Sequence, residues 1–249
     1  MGYTCVNNYL LTLAFDGSAF CGWQVQKNGE SVCAAVQRTV QTILRHPTDI
    51  TGCGRTDSGV HAKGYRANFK TEQTLDPSRF LASFNAIAPD SLRAMAIESV
   101  DGDFHARYSA KGKTYVYQIC PFHCLPPTLR GVAYHCPYPL DREAMKQAAQ
   151  ILCGEHDFAA FRAAGAKEGD SVRRIDRIEI VEQDWLLQIR MTGNGFLYKM
   201  ARGLAGTILD AGKGLLTPAQ VREILESKDR EKAGMTLPPM GLYLEQVIY

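Results

Sequence analysis

Tyr9-Leu10-Leu11-Thr12-Leu13-Ala14-Phe15, followed at once by Asp16-Gly17, sets the reading of the chain. The run is dense in apolar and β-favouring side chains and reads as a strand, and Asp-Gly closes it as a turn. Outward from there, Ser31 caps a helix in which Val32, Val36, Val40, Ile43 and Leu44 recur at helical spacing. A short strand near Asp49–Cys53 enters a polar loop bounded by Gly54 and Gly59, and a strand follows over Tyr65–Lys70. Asp76-Pro77 supplies a cap and a first-turn proline ahead of Phe80, Leu81, Phe84 and Ile87. A strand near Leu92–Val100 ends the half, whose order is strand, helix, strand, strand, helix, strand.

The second half repeats that rhythm loosely. Strands are predicted at Thr114–Cys120 and Val132–Cys136, and a helix from Asp141 to Cys153 with Gly154 as its stop. Arg174–Val181 and Trp185–Met191 read as a hairpin. A helix from Phe196 to Ala211, another opened by Thr217-Pro218 and running through Leu225, and a strand over Leu242–Ile248 complete the pattern. The predicted fold is α+β: two pseudo-related sheet-and-helix halves, ferredoxin- or RRM-like units, joined into one mostly antiparallel sheet. The boundary falls in Phe104–Ser109, which gives halves of 1–107 and 108–249.

With 249 residues, 45% hydrophobic and 22% charged, the chain can bury a sizeable core. Its 28 Lys and Arg against 26 Asp and Glu leave a net charge of +2, which excludes a strongly basic arm or acidic tail but not a basic stripe. No apolar run reaches the roughly 18 residues of a membrane span, and Met1–Asn8 lacks the pattern of a signal peptide. A cytoplasmic location, with the eight cysteines reduced, is the expectation. The segment Cys120-Pro121-Phe122-His123-Cys124, followed by His135-Cys136, offers zinc-type donors at permitted spacing, or simply small core and surface residues.

Three stretches could carry chemistry. Gly54-Arg55-Thr56-Asp57-Ser58-Gly59-Val60-His61 is either a tight turn bonded to its own backbone or an active-site loop with one carboxylate and a basic neighbour. It lacks the spacing of a phosphate-binding loop. Phe104–Arg130 contains Arg107, Lys111, Lys113 and Arg130, no acidic residue, and interleaved Phe104, Tyr108, Tyr115, Tyr117 and Phe122. That composition suits RNA, with cations for phosphates and rings for bases, and equally an edge strand with tyrosines facing the core. In Gly193–Arg202, the residues Phe196, Met200 and Leu204 form a predicted helical face. Arg202 lies among residues that look buried, so it either meets a carboxylate such as Asp57 or snorkels to the surface.

Several segments, in order along almost the whole chain, resemble the TruA-type tRNA pseudouridine synthases. They are Phe15-Asp16-Gly17 with Gly22-Trp23-Gln24, Gly54-Arg55-Thr56-Asp57 with Gly59-Val60-His61-Ala62, and Phe104-His105-Ala106-Arg107. Lys113-Thr114-Tyr115-Val116-Tyr117, Gly154-Glu155-His156-Asp157-Phe158, Gly195-Phe196-Leu197 with Met200 and Arg202, and Gly241-Leu242-Tyr243-Leu244 continue the series. The resemblance implies a cofactor-free isomerase that acts on tRNA as a homodimer. Its expected targets are uridines of the anticodon stem-loop, positions 38 to 40 of the tRNA, reached through a central cleft between the halves. It also implies roles: Asp57 the catalytic carboxylate, Arg202 its ion-pair partner, Tyr115 the ring that stacks on the base, and Arg55 a base-displacing or RNA-contacting residue. The other reading is a non-catalytic RNA-binding or tRNA-chaperone protein. Three positions depart from the family pattern: Tyr65 stands where Gln is usual, Gly203 where Asn is common, and Leu237 where Ala is common.

Overall fold

The computed structural model describes residues 6–27, 29–163 and 169–249. Among them are ten strands, mostly antiparallel, and five α-helices, the α+β class expected. They divide into two compact units, one made of the chain up to Lys111 together with Leu244–Tyr249, the other of Gly112–Tyr243.

In the first unit, strand β1 (Asn7–Phe15) pairs antiparallel with β3 (His61–Thr71) on one side and β4 (Leu92–Val100) on the other. Helices α1 (Val32–Leu44) and α2 (Pro77–Ile87) connect them. Both caps are those read from sequence: the Ser31 hydroxyl accepts from the Ala34 N–H, and the Asp76 carboxylate from the Arg79 N–H. Leu11, Leu13, Tyr65 and Phe69 from the sheet, Val36 and Val40 from α1, and Phe84 from α2 are buried almost completely. Each such burial contributes about 1.5–3 kcal/mol. The short β2 (Thr51–Gly52) pairs with β3 at Asn68 and Ala67. The residues of β10 (Leu242–Ile248) that belong to this unit lie along β3 near Gly64, where an added Cβ would sit 2.4 Å from the Glu245 carbonyl oxygen.

The second unit is built on the antiparallel order β5 (Gly112–Cys120), β9 (Leu186–Gly193), β8 (Val172–Gln183), β7 (Gly154–Asp157). Strand β6 (Tyr134–His135) runs parallel to the end of β5. Helices α3 (Arg142–Ile151), α4 (Met200–Gly212) and α5 (Pro218–Ser227) complete it, and α4 is buried on nearly every side. The β8–β9 hairpin turns at Asp184 with φ 52°, as its position in the sequence predicted.

Several boundaries differ from the expectation. The helix expected from Phe196 begins at Met200, because Lys199 takes a left-handed conformation (φ 61°) and caps it. Phe196 is therefore no part of a helical face. The helix expected to Cys153 ends at Ile151; Gly154 (φ 110°) breaks it as predicted but also opens strand β7, which the sequence reading missed. The strands expected at Asp49–Cys53 and Val132–Cys136 shrink to two residues each. The strand expected over Tyr65–Lys70 extends back to His61. Among the described residues no three His, Cys, Asp or Glu side chains form a group that could hold a metal ion. Cys120 and Cys136 are buried within the unit, and the Cys120 thiol points to the Cys124 carbonyl oxygen at 3.8 Å.

Candidate active site

The loop that carries Asp57 is tied down at nearly every residue. Its Asp57-Ser58-Gly59-Val60 turn is closed by the Val60 N–H donating to the Asp57 carbonyl at 3.2 Å, and Gly59 (φ 79°) meets the left-handed requirement of the third turn position. A second loop, following β1, grips the first. The Trp23 N–H donates to the Thr56 carbonyl at 3.2 Å, and the Ser58 hydroxyl donates to the Phe20 carbonyl at 3.4 Å. Gly22 (φ 95°) sits so close that a Cβ there would lie 2.5 Å from the Thr56 oxygen. At the far end the Gly17 N–H donates to Nδ1 of buried His61 at 3.1 Å, with an Asp16 oxygen 3.2 Å from the same nitrogen. Burial works to raise the Asp16 carboxyl, but hydrogen bonds from the Ser18 hydroxyl and N–H, with His61 nearby, outweigh it and hold the group below its ordinary value.

Tyr65 gives its departure from the family pattern a structural role. Its hydroxyl donates to the Gly54 carbonyl at the entrance of the loop, and its ring stacks on Trp23 with centroids 4.2 Å apart and planes 23° apart. One side chain thus joins the two loops. Within this frame Asp57 is half-buried and Arg55 exposed. The loop is the backbone-bonded turn that the sequence allowed, and it carries one half-buried carboxylate.

Tyr115 and Arg202 belong to the second unit. Tyr115, on β5 opposite Met191 of β9, is 9% exposed and meets Phe196 edge-on, with centroids 5.0 Å apart and planes at 76°. Phe196 was read from sequence as part of a helical face; Gly193 and Gly195 just before it were the signal that the chain does not yet coil there. Arg202, in the first turn of α4, is half-buried, and its Nε donates to the Leu237 carbonyl at 2.6 Å. Next along that strap, the Pro238 carbonyl accepts from the hydroxyl of Tyr117 at 2.7 Å. Burial pushes the Tyr117 phenol far above its ordinary value, against the opposing pull of the Arg202 guanidinium. The strap fits the helix closely, since a Cβ on Gly206 would fall 1.9 Å from the Met235 oxygen. Leu237 therefore serves Arg202 through its backbone, and Gly203 packs towards Phe161.

A rigid carboxylate loop in one α+β unit, and a buried ring beside an arginine helix in the other, carry the residues quoted above for an RNA-modifying isomerase. The tRNA pseudouridine synthase family matches residues 148–249. The tRNA pseudouridine synthase A of Caldicellulosiruptor saccharolyticus is 42% identical over 244 residues, covering 98% of this chain and 100% of that protein. Its counterpart in Clostridium acetobutylicum is 41% identical with the same coverage, and tRNA pseudouridine synthase A 2 of Clostridium perfringens 40% over 244 residues. The chain belongs to the tRNA pseudouridine synthase A family, isomerases that convert uridine to pseudouridine. Among the described residues no helix is long and apolar enough to cross a membrane.

Proposed function

We propose that the chain isomerises uridine in the anticodon stem-loop of tRNA, as a cytoplasmic homodimer without a cofactor, and that residues 1–107 and 108–249 divide the work. The first half offers the Asp57 carboxylate and Arg55; the second offers the Tyr115 ring and the Arg202 helix. The reaction breaks the N1–C1′ bond, turns the uracil, and joins C5 to C1′; C5 gives up its proton and N1 gains one. Reactant and product are isomers, so no redox partner or second substrate enters. A glycoside hydrolase needs a second carboxylate to manage water; here one suffices, provided the base is kept and water excluded.

Asp57 acts on the ribose–base bond, and Arg202 pairs with it and aims it. Tyr115 lies against the uracil of a nucleotide flipped from its stack, and Arg55 occupies the place the base has left or contacts its backbone. The observation that carries this reading is the mounting of Asp57: a single half-buried carboxylate on a turn whose backbone is bonded on both flanks. The test maps pseudouridine by site in an unmodified tRNA transcript. Asp57→Asn is expected to give none while its tRNA affinity is retained, and Arg202→Lys to lose most activity because it lacks the planar fork. The double variant should be no less active than Asp57→Asn alone. Wild-type protein that binds the transcript and leaves every uridine unchanged would return the chain to the RNA-binding reading.

A further inference from the structure

Tyr108 is 76% exposed, yet its surroundings are built with unusual care. The His105 ring lies 4.3 Å from it, centroid to centroid, and the Arg107 guanidinium carbon sits 5.6 Å over its ring. His105 Nδ1 accepts from the N–H groups of both Arg107 and Tyr108 at 3.1 and 3.3 Å, which fixes the three residues together. The Ser109 N–H donates to the His105 carbonyl, and the His105 N–H to the Ser109 hydroxyl.

The support beneath this turn is more telling. Asn8 on β1 and Asn68 on β3 are buried, 1% and 5% exposed. Burying two amides is unfavourable unless their hydrogen bonds are met. Here the Asn68 amide donates to the Asn8 oxygen, Asn8 donates to the carbonyls of Asp101 and Phe104, and the Asn68 oxygen accepts from the Ala106 N–H, each at 2.9 Å. From the other end the Tyr249 hydroxyl donates to the Ala106 carbonyl at 2.8 Å, and its ring meets Phe104 at 4.9 Å. Two core positions and a C-terminal tyrosine are committed to holding a surface turn whose product is one open aromatic ring with an arginine beside it.

We infer that Tyr108, with His105 and Arg107, is a second nucleotide site: an unpaired base of the RNA stacks on the Tyr108 ring, and its phosphate meets Arg107. The site is distinct from the one that receives the target uridine, and the inference rests on RNA being the substrate. An aromatic face accepts any base, and a fixed ring loses little freedom on binding. A paired stem offers no free base face, so the site takes loop nucleotides rather than duplex.

The test is equilibrium binding of an unmodified tRNA transcript, and of a blunt RNA duplex, to the full chain and to Tyr108→Ala, Tyr108→Trp and Arg107→Gln at several salt concentrations. Tyr108→Ala should bind tRNA about fivefold or more weakly at every salt concentration, with the wild-type salt slope and thermal midpoint, and should bind duplex as wild type does. Tyr108→Trp should restore tRNA affinity. Arg107→Gln should lower the salt slope by about one. Unchanged tRNA affinity in Tyr108→Ala, an equal loss for duplex, or a loss of self-association in its place would overturn the inference. Wild-type protein that fails to bind tRNA at all would instead overturn the proposed function beneath it.

Discussion

Arg202 and Leu237 hold one another reciprocally: the arginine Nε donates to the Leu237 carbonyl at 2.6 Å, and the Leu237 N–H donates back to the Arg202 carbonyl at 3.3 Å. This bond from Nε fixes the direction of the guanidinium fork. The orientation of Arg202 is therefore only as firm as the strap of residues 235–238.

That strap is anchored next door by Tyr117. Tyr117→Phe keeps the ring and leaves the Pro238 carbonyl without its donor, an arrangement that should cost about 1–3 kcal/mol of stability. Urea denaturation reads this directly. Because the neighbouring carbonyl aims Arg202, kcat should fall while the KM for tRNA changes little.

Gly22, on the loop after β1 in the same unit, bears on the loop that carries Asp57. Gly22→Ala would bring a Cβ to 2.5 Å from the Thr56 carbonyl at a φ of 95°. Displacing that backbone should cost about 1–3 kcal/mol, with a further strain of about 1 kcal/mol or more from the left-handed φ. A lowered thermal midpoint and a large drop in kcat are expected. Gly102→Ala, with nothing within 4 Å of the added carbon, should change neither.

The Thr56 hydroxyl is buried and has no hydrogen-bond partner among the described residues. Thr56→Val replaces it with a methyl of the same shape and should stabilise the protein by about 1 kcal/mol. Denaturant unfolding of the two proteins at neutral pH checks the sign.

Asp157 links β7 to the end of α5. Its carboxylate accepts from the Ser171 hydroxyl at 2.5 Å, from Lys228 at 2.9 Å and from the Ala159 N–H at 3.0 Å. The bonds from Ser171 and Lys228 hold it below its ordinary value, against the contrary effect of partial burial. A carboxyl depressed in the folded state stabilises above its unfolded value of 3.8 and loses that contribution as pH falls through the folded one. The stability gap between wild type and Asp157→Asn should thus be constant from pH 7 down to about pH 5 and close at lower pH.

Much of this was legible in the sequence because the signals were local. Ser31, Asp76 and Thr217 announce their helices through hydrogen bonds made within three residues. The Tyr9–Phe15 strand announces itself through composition. Asp57 was legible as a candidate because Gly54 and Gly59 frame it. What escaped depends on partners far along the chain. Nothing near Leu237 says that its carbonyl meets Arg202, and nothing near Tyr65 says that its hydroxyl closes on Gly54 and its ring on Trp23. Phe196 was misplaced because apolar residues at 196, 200 and 204 fit a helical period, whereas the left-handed Lys199 delays the first turn.

The membership of Leu244–Tyr249 in the first unit bears on how the molecule comes into being at the ribosome. Residues up to Lys111 emerge first but lack the strand that lies along β3 and the Tyr249 hydroxyl that fastens Ala106. Those arrive only after the whole of Gly112–Tyr243 has been translated. Contacts so distant in sequence are slow to close. The unit bearing Asp57 therefore starts first during synthesis and finishes last, with the intervening unit free to fold while β3 waits with an open edge.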